Sequence, residues 1–117
     1  MMRSKSRLIV RKGDEYITLA VKDIVFIYRS DTIVIVTDRQ ERKYLCDKNL
    51  SQLEEELDNV IFFRANRQYI ININCIRSFK TVDKVKLQVF LKISHDDHPI
   101  IISQKTAPQF RKWIAEE

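Results

Sequence analysis

Residues 85–93 read VKLQVFLKI and show the clearest alternation of side-chain types in the chain. Every second position, from Val85 through Val89 to Ile93, is aliphatic, and most positions between them are polar. Successive side chains of a strand point to opposite faces, so this period of two predicts a β-strand with one buried face. Residues 76–81 precede it across the polar segment 81–84, and the two stretches together predict an antiparallel hairpin.

Further strands are predicted on both sides of this hairpin. The chain contains 16 Ile and 9 Val in 117 residues, and β-branched residues favour strands. Residues 33–36 are apolar at every position, which is typical of a strand covered on both faces. The other predicted strands are 8–11, 16–20, 24–28, 42–45, parts of 62–75, and 99–102.

Two helices are predicted, one inside the chain and one at its end. Leucines recur at helical spacing over 50–57 with acidic residues between them, and Asn49 or Asp47 is a suitable N-cap. A second helix is predicted over 108–117, since Pro is tolerated in a first turn. Its buried face would consist of Phe110, Trp113 and Ile114. The predicted fold class is mainly β: antiparallel sheet with one interior helix and a short C-terminal helix.

The composition excludes several functional classes. Gly13 is the only glycine, so the clustered glycines of a P-loop or of a dinucleotide-binding fingerprint are missing. Asn and Asp must therefore make most turns, including those predicted at 29–31 and 94–98. Cys46 and Cys75 are too few for a disulfide framework, which favours a reduced, cytoplasmic protein. No apolar run approaches the roughly 20 residues of a transmembrane helix.

The sequence gives little support for catalysis or metal binding. His95 and His98 bracket two aspartates in a predicted turn, but a third ligand of fixed geometry is missing, and polar turns collect such residues for solvation. We therefore expect no enzyme, no metal site and no cofactor. Single cores usually occupy roughly 100–200 residues, so one domain is predicted over 8–117. Residues 1–7 are interpreted as a flexible basic lead-in or the remnant of a linker.

Positive charge is concentrated in two parts of the chain. The formal net charge is +5, and neither residues 3–12 nor residues 62–80 contain an acid. In the second stretch Arg side chains are interleaved with Asn and Gln, the side chains that recognise guanine and adenine edges. Lys and Arg elsewhere would bind phosphates. A solvated basic strand on an ordinary β domain is the plainer interpretation of composition alone.

Residues 62–72, FFRANRQYIIN, carry the most specific pattern. They closely resemble the signature F-x-R-x-[HN]-R-[SQ]-[YF]-[IV]-[IV]-N of the LytTR DNA-binding domain, the output half of LytR/AlgR-type bacterial response regulators. Three other stretches resemble the family in the same order, namely 23–27 (DIVFI), 50–57 (the leucine helix) and 101–105 (IISQK). The resemblance covers nearly everything from Leu8 to Glu117.

The resemblance implies an elongated, mostly β domain that binds DNA sequence-specifically through loops in successive major grooves. It implies base contacts by Asn66, Arg67, Lys105, Gln104, Ser30 and Asp31. It implies phosphate contacts by Arg29, Arg64, Lys80 and Ser103. Not every residue of the signature is expected to touch DNA. The residues predicted to form core or turn are Phe62, Phe63, Tyr69, Ile70, Ile71, Asn72 and Asn74.

Three positions depart from the common pattern of the family. Asp31 stands where a basic or imidazole side chain is frequent, Gln104 where Arg is often found, and Asn66 where many members have His. A carboxylate at Asp31 could accept a hydrogen bond from a cytosine amino group or could lie away from the DNA. Glutamine suits adenine, so the base preference at Gln104 is expected to differ.

The resemblance also implies partners. The expected partner is double-stranded DNA with paired repeat sites, bound by a dimer, whereas the isolated chain is expected to be a monomer. A phospho-accepting receiver domain would normally precede the effector but is absent from these residues, so the chain is either a fragment or a free-standing regulator. The alternative is a non-enzymatic β-sandwich that docks an acidic protein partner through its basic strand.

Overall fold

The computed structural model describes residues 5–93 and 99–116. The predicted turn at 94–98, with its candidate metal ligands His95 and His98, lies outside the described residues. The strands are β1 Arg7–Lys12, β2 Glu15–Ala20, β3 Ile24–Ser30, β4 Ile33–Asp38, β5 Lys43–Cys46, β6 Phe62–Arg64, β7 Tyr69–Asn72, β8 Ile76–Val82, β9 Lys86–Leu91 and β10 Ile100–Ile102. The helices are α1 Leu50–Glu56 and α2 Ala107–Ala115, with 3-10 turns at Val21–Asp23 and Ile73–Cys75.

The strands form two antiparallel sheets. The larger sheet has seven strands in the order β2-β1-β5-β4-β3-β7-β6, and the smaller has three in the order β10-β9-β8. The hairpin predicted from residues 76–93 is the β8–β9 pair, in which Phe79 lies opposite Val89. The mainly β fold class with one interior and one C-terminal helix is therefore confirmed.

Two hydrophobic cores lie on opposite faces of the central strands β3 and β7. Ile27 and Ile70 point into the first core, which Leu53 of α1 closes. Phe26 and Ile71 point into the second core, which the three-stranded sheet and α2 cover. A register shift between Ile24 and Phe26 places the consecutive residues 25 and 26 in the same core. The two layers are thus built on one pair of strands.

Local sequence signals account for the ends of the helices. Asn49 caps α1, with its side chain accepting a hydrogen bond from Gln52 N–H and the Gln52 side chain accepting one from Asn49 N–H. This confirms Asn49 rather than Asp47 as the N-cap. The C-terminal helix begins at Ala107, with Pro108 in its first turn. Phe110 is fully buried, and Trp113 and Ile114 are half-buried against the second core.

Two sequence predictions need correction. The turn predicted at 29–31 occurs at Asp31 and Thr32, so Arg29 and Ser30 belong to β3. Asp31 has φ 55°, a backbone region that Asp tolerates better than most residues, and the turn therefore forms without glycine. The cover predicted on both faces of residues 33–36 is also wrong in part, because Ile33 is 49% exposed.

Other sequence interpretations are confirmed by burial. Phe62, Tyr69, Ile70 and Ile71 are core residues, and Phe63 is half-buried. Asn72 is fully buried and holds the following 3-10 turn by accepting a hydrogen bond from Asn74 N–H. None of the helices in the described part of the chain is long and apolar enough to cross a bilayer.

Candidate nucleic-acid interface

Three loops at neighbouring strand ends contain most of the predicted DNA-contacting residues. We call them the first loop (residues 29–32, the last two residues of β3 and the turn to β4), the signature loop (residues 65–68, between β6 and β7) and the third loop (residues 103–106, between β10 and α2). The Arg29 N–H donates a hydrogen bond to the Gln68 carbonyl at 2.9 Å, which joins the first loop to the signature loop. The Asn66 side chain joins the signature loop to the carboxyl end of β10. The fold thus gathers residues separated by more than 70 positions.

Asn66 organises the signature loop through its side chain. Its Oδ1 accepts hydrogen bonds from Gln68 N–H at 2.7 Å and from Tyr69 N–H at 3.0 Å, which is an Asx turn. Its Nδ2 donates to the Ile101 carbonyl at 2.8 Å. The backbone is closed by a hydrogen bond from Ala65 N–H to the Tyr69 carbonyl. One N–H of the Asn66 amide has no acceptor among these bonds, because the NH₂ group carries two donors.

Arg64 stabilises the backbone of the same loop. Its Nε donates to the Asn66 carbonyl at 2.7 Å, and its Nη2 donates to the Arg67 carbonyl at 3.2 Å. Its Nη1 pairs with Glu54 Oε1 of α1, also at 3.2 Å, and the Arg64 side chain is only 21% exposed. Since a guanidinium has five N–H donors, two remain after these three bonds. The structure therefore shows Arg64 fixing the backbone on which Arg67 stands.

The residues at the tip of the signature loop are exposed. Arg67 and Gln68 both face solvent. Within residues 5–93 and 99–116, the Arg67 side chain takes part in no hydrogen bond or ion pair, whereas the backbone beneath it is held at two points. A long cationic side chain on a fixed backbone is an arrangement that suits contact with a base edge.

The third loop is a compact turn that leads into α2. The Ser103 carbonyl accepts hydrogen bonds from Thr106 N–H and Ala107 N–H, and the Ser103 hydroxyl lies 3.3 Å from Thr106 N and from Thr106 Oγ1. Gln104 and Lys105 are exposed at the top of this turn. Ser103 therefore has local partners, and Gln104 and Lys105 are the members of the loop that face solvent.

The first loop presents exposed residues of mixed charge. Arg29, Ser30 and Asp31 are all exposed, and successive residues of β3 alternate between the two faces of the sheet. Arg29 and Ser30 therefore point to opposite sides. The positive φ of Asp31 gives a conformational reason for an acid in a predicted DNA-contacting loop.

Lys80 lies apart from the three loops. It is an exposed residue of β8 in the smaller sheet, and its Nζ is 5.6 Å from the centroid of the Phe90 ring. Within the described residues no hydrogen bond or ion pair joins Lys80 to the three loops. The guanidinium carbon of Arg77 lies 5.4 Å from the same Phe90 centroid, so β8 carries a small basic surface of its own.

The sequence interpretation missed the role of Glu54. It described the acidic residues of 50–57 only as lying between the leucines, yet Glu54 pairs with Arg64, and Glu56 is half-buried between Lys5 and Lys48. The Glu54–Arg64 pair spans ten positions and two elements, so helical spacing gives no signal for it. The hydrogen bonds from Lys48 and Lys5 outweigh desolvation and lower the pKa of Glu56.

The two cysteines are small core residues of the fold. Cys46 and Cys75 are free and buried, and burial raises the pKa of both thiols, as expected for small core residues. No group of three His, Cys, Asp or Glu that could hold a metal ion is present among residues 5–93 and 99–116.

Comparison with known proteins agrees with this geometry. The family model of the LytTr DNA-binding domain matches residues 14–115. The transcriptional regulatory protein NatR of Bacillus subtilis (strain 168) is 29% identical over 80 residues, which cover 67% of this chain and 33% of that protein. The chain thus spans about a third of the length of this relative. A solved LytTr DNA-binding domain from Bacillus cereus superposes with a TM-score of 0.80 at 21% identity, covering 95% of this chain and 98% of the other.

Proposed function

The chain belongs to the family of LytTr DNA-binding domains, and we propose on this premise that it binds promoter DNA sequence-specifically as the effector domain of a two-component response regulator. The observation that carries the proposal is the linkage of three exposed loops by the hydrogen bonds of Arg29 and Asn66. Loops fixed to one another keep their spacing, which is what reading successive major-groove base edges requires.

Base recognition is assigned to the exposed tips of the three loops. Arg67 and Gln104 suit guanine and adenine respectively, because their forked donors and acceptors match those base edges. The second amide N–H of Asn66, which has no acceptor among the hydrogen bonds of the described residues, is assigned to a base edge in the same groove. Lys105, Ser30 and Asp31 complete the set.

Phosphate contacts position the domain without specifying sequence. We assign them to Arg29, Lys80 and Ser103. For Arg64 the two remaining N–H groups are available to a phosphate, but its main task is to hold the signature loop. Phosphate contacts by Arg and Lys release counterions, so DNA affinity will fall steeply as salt concentration rises.

The assembly is proposed on the same basis. The domain is a monomer in isolation and occupies paired repeat sites on double-stranded DNA as a dimer, brought together by a receiver domain elsewhere in the full regulator. It works in the cytoplasm, without a cofactor and without enzymatic activity of its own. Family membership does not favour the alternative of a β-sandwich that docks only proteins.

The test is a gel-shift titration against bacterial promoter fragments that contain paired repeats, with a scrambled fragment as the control. At physiological salt, specific complexes are typically about 10³–10⁷-fold tighter than non-specific ones. The titration is repeated at two salt concentrations to measure the slope. Equal affinity for repeat and scrambled DNA at both salt concentrations would overturn the proposal. Sedimentation of the chain without DNA tests the oligomeric state, and a stable dimer there would contradict the proposed monomer.

A further inference from the structure

One half of one face of the seven-stranded sheet is apolar and uncovered in the described part of the chain. Six large apolar side chains are exposed among the described residues, and four of them, Ile9, Tyr16, Ile33 and Leu45, lie on this half. Together with the half-buried Ile35 they form what we call the outer face. Contiguous exposed apolar patches are uncommon on soluble monomers and mark interaction sites.

The strand register shows that the outer face is one continuous surface. Tyr16 of β2 lies opposite Arg11 of β1, Arg11 opposite Leu45 of β5, Leu45 opposite Ile35 of β4, and Ile35 opposite Tyr28 of β3. Residues directly opposite one another point to the same face of a sheet. Tyr28 packs against the second core, which covers that end of the row. The other end, at Tyr16, is exposed.

The sequence of β4 indicates that a cover belongs there. Val34 and Val36 fill the first core, while Ile33 and Ile35 on the alternate face remain exposed or half-buried. Four consecutive apolar residues are typical of a strand with two covered faces, and the described chain covers only one. Helices close both of the other covered regions, since α1 packs on the first core and α2 on the second.

Charge on the outer face selects the kind of helix. Arg7 and Lys43 are exposed on this same side of the sheet, and Arg11 is paired with Asp47 at 3.0 Å. In a dimer of this chain through the outer face, these cations would repel the same cations of the second copy. DNA would pair with the cations but would not bury the aliphatic residues at the centre. We propose that the outer face docks an amphipathic helix of a partner protein, with the apolar stripe of that helix on Leu45 and Ile9 and acidic residues along its flanks.

The dimensions of the face fit a short helix. Strands lie about 4.8 Å apart, so β2, β1, β5 and β4 span about 14 Å from first to last. A helix rises 1.5 Å per residue, and about 10–13 residues cross this width with a turn to spare. The proposed DNA-contacting loops lie at strand ends, and the outer face borders them only at Ile33, which pairs with Ser30. Its centre at Leu45 and Ile9 lies on other strands.

The experiment uses two synthetic peptides of about 18 residues with the same leucine stripe, one flanked by glutamates and the other by lysines. Each is titrated into the isotope-labelled chain and followed by amide chemical shifts. The glutamate peptide is expected to shift amides of β1, β2, β4 and β5 at micromolar to millimolar concentration, and the lysine peptide is not. Ile9→Glu and Leu45→Glu should each weaken the glutamate peptide about tenfold or more.

Two further variants make the result decisive. Lys43→Glu should weaken binding of the glutamate peptide and strengthen binding of the lysine peptide. Val85 is an exposed apolar residue on another part of the surface, and Val85→Glu should change the binding of neither peptide. Absence of shifts on the outer face, or equal binding of the two peptides, would overturn the proposal. A loss of DNA affinity in Leu45→Glu without any effect on the peptides would show instead that the face contacts DNA.

Discussion

The side-chain amide of Asn66 donates a hydrogen bond to the Ile101 carbonyl at 2.8 Å, across 35 positions of sequence. Ile101 belongs to the smaller sheet, and Asn66 stands in a loop of the larger one. This bond therefore connects the two sheets at the edge where the signature loop and the third loop meet. Asn66 is also, together with Arg67, a proposed base contact in the signature, so its structural and recognition roles have to be separated by experiment.

Asn66→Ala is expected to lower both stability and DNA affinity. It removes three hydrogen bonds at a partly buried site, which predicts a loss of about 1–3 kcal/mol in the free energy of unfolding. Denaturant unfolding and gel shifts on the same preparations measure the two effects. Asn74→Ala, at an exposed position, is the matched control and should change neither. Unchanged stability with a loss confined to one base pair would assign Asn66 to base recognition alone.

Arg67→Ala is expected to reduce specific affinity by about 1–3 kcal/mol and to relax the preference at one base pair. The Arg67 side chain has no hydrogen-bond or ion-pair partner among the residues that the structure describes, so its removal should leave the fold intact. Binding to a set of singly substituted operator sites measures the preference. Lys86→Ala removes an exposed cation from β9 and serves as the control for net charge. An equal loss on all sequences, scrambled DNA included, would assign Arg67 to a phosphate.

Arg64→Lys separates a supporting role from a phosphate contact. A lysine keeps the charge, but its single ammonium cannot replace the forked guanidinium that bonds Asn66 O, Arg67 O and Glu54 at once. We expect Arg64→Lys to lose nearly as much DNA affinity as Arg64→Ala, with little change in the salt dependence. Gel shifts at several salt concentrations measure both quantities. If Arg64→Lys retains affinity and only Arg64→Ala reduces the salt slope by about 1, Arg64 is a phosphate contact.

The sequence predicted the elements of the fold because each carries a local signal. Each signal lies within a few neighbouring residues, as in the alternation in 85–93, the leucines of 50–57 and the cap at Asn49. The site was predictable only as far as the signature 62–72 resembled a known family. The partnership of Glu54 with Arg64 and the bond from Asn66 to Ile101 were not predictable, because they join elements through contacts between residues that no periodicity connects.

The buried carboxylate of Asp38 in the β4–β5 turn is expected to make the fold less stable in acid. Burial raises the pKa of Asp38, but hydrogen bonds from Arg42 N–H, Tyr44 Oη–H, the Arg42 guanidinium and Gln40 N–H outweigh it and leave the pKa below its usual range. The carboxylate thus stabilises the folded state above the pKa of the unfolded chain, about 3.9, and this contribution disappears as pH falls through the lower folded-state pKa.

Asp38→Asn tests this relationship. Asp38 is 2% exposed, and the loss of hydrogen bonds to a buried charged group predicts a decrease of about 2–4 kcal/mol in the free energy of unfolding at neutral pH. The difference from the unsubstituted protein should shrink toward pH 3, as measured by denaturant unfolding at several pH values. Asp83→Asn, at an exposed turn position with φ 48°, should keep the stability and its pH dependence. A constant difference at all pH values would show that Asp38 contributes only through neutral packing.

Gln104→Arg is expected to change which base the third loop prefers. Gln104 is exposed at the top of a turn whose backbone is fixed by the Ser103 carbonyl, so a longer side chain can be accommodated without rearrangement. Glutamine pairs with the adenine edge and arginine with the guanine edge, and each good bidentate pair contributes about 1–3 kcal/mol of discrimination. Selection from a randomised operator should therefore shift from adenine to guanine at one position in each repeat. Gln40→Arg adds the same charge at an exposed position of the β4–β5 turn, outside the three loops, and is the control for non-specific gain. A gain spread evenly over all sequences in Gln104→Arg would show that the side chain at this position meets the phosphate backbone and not a base.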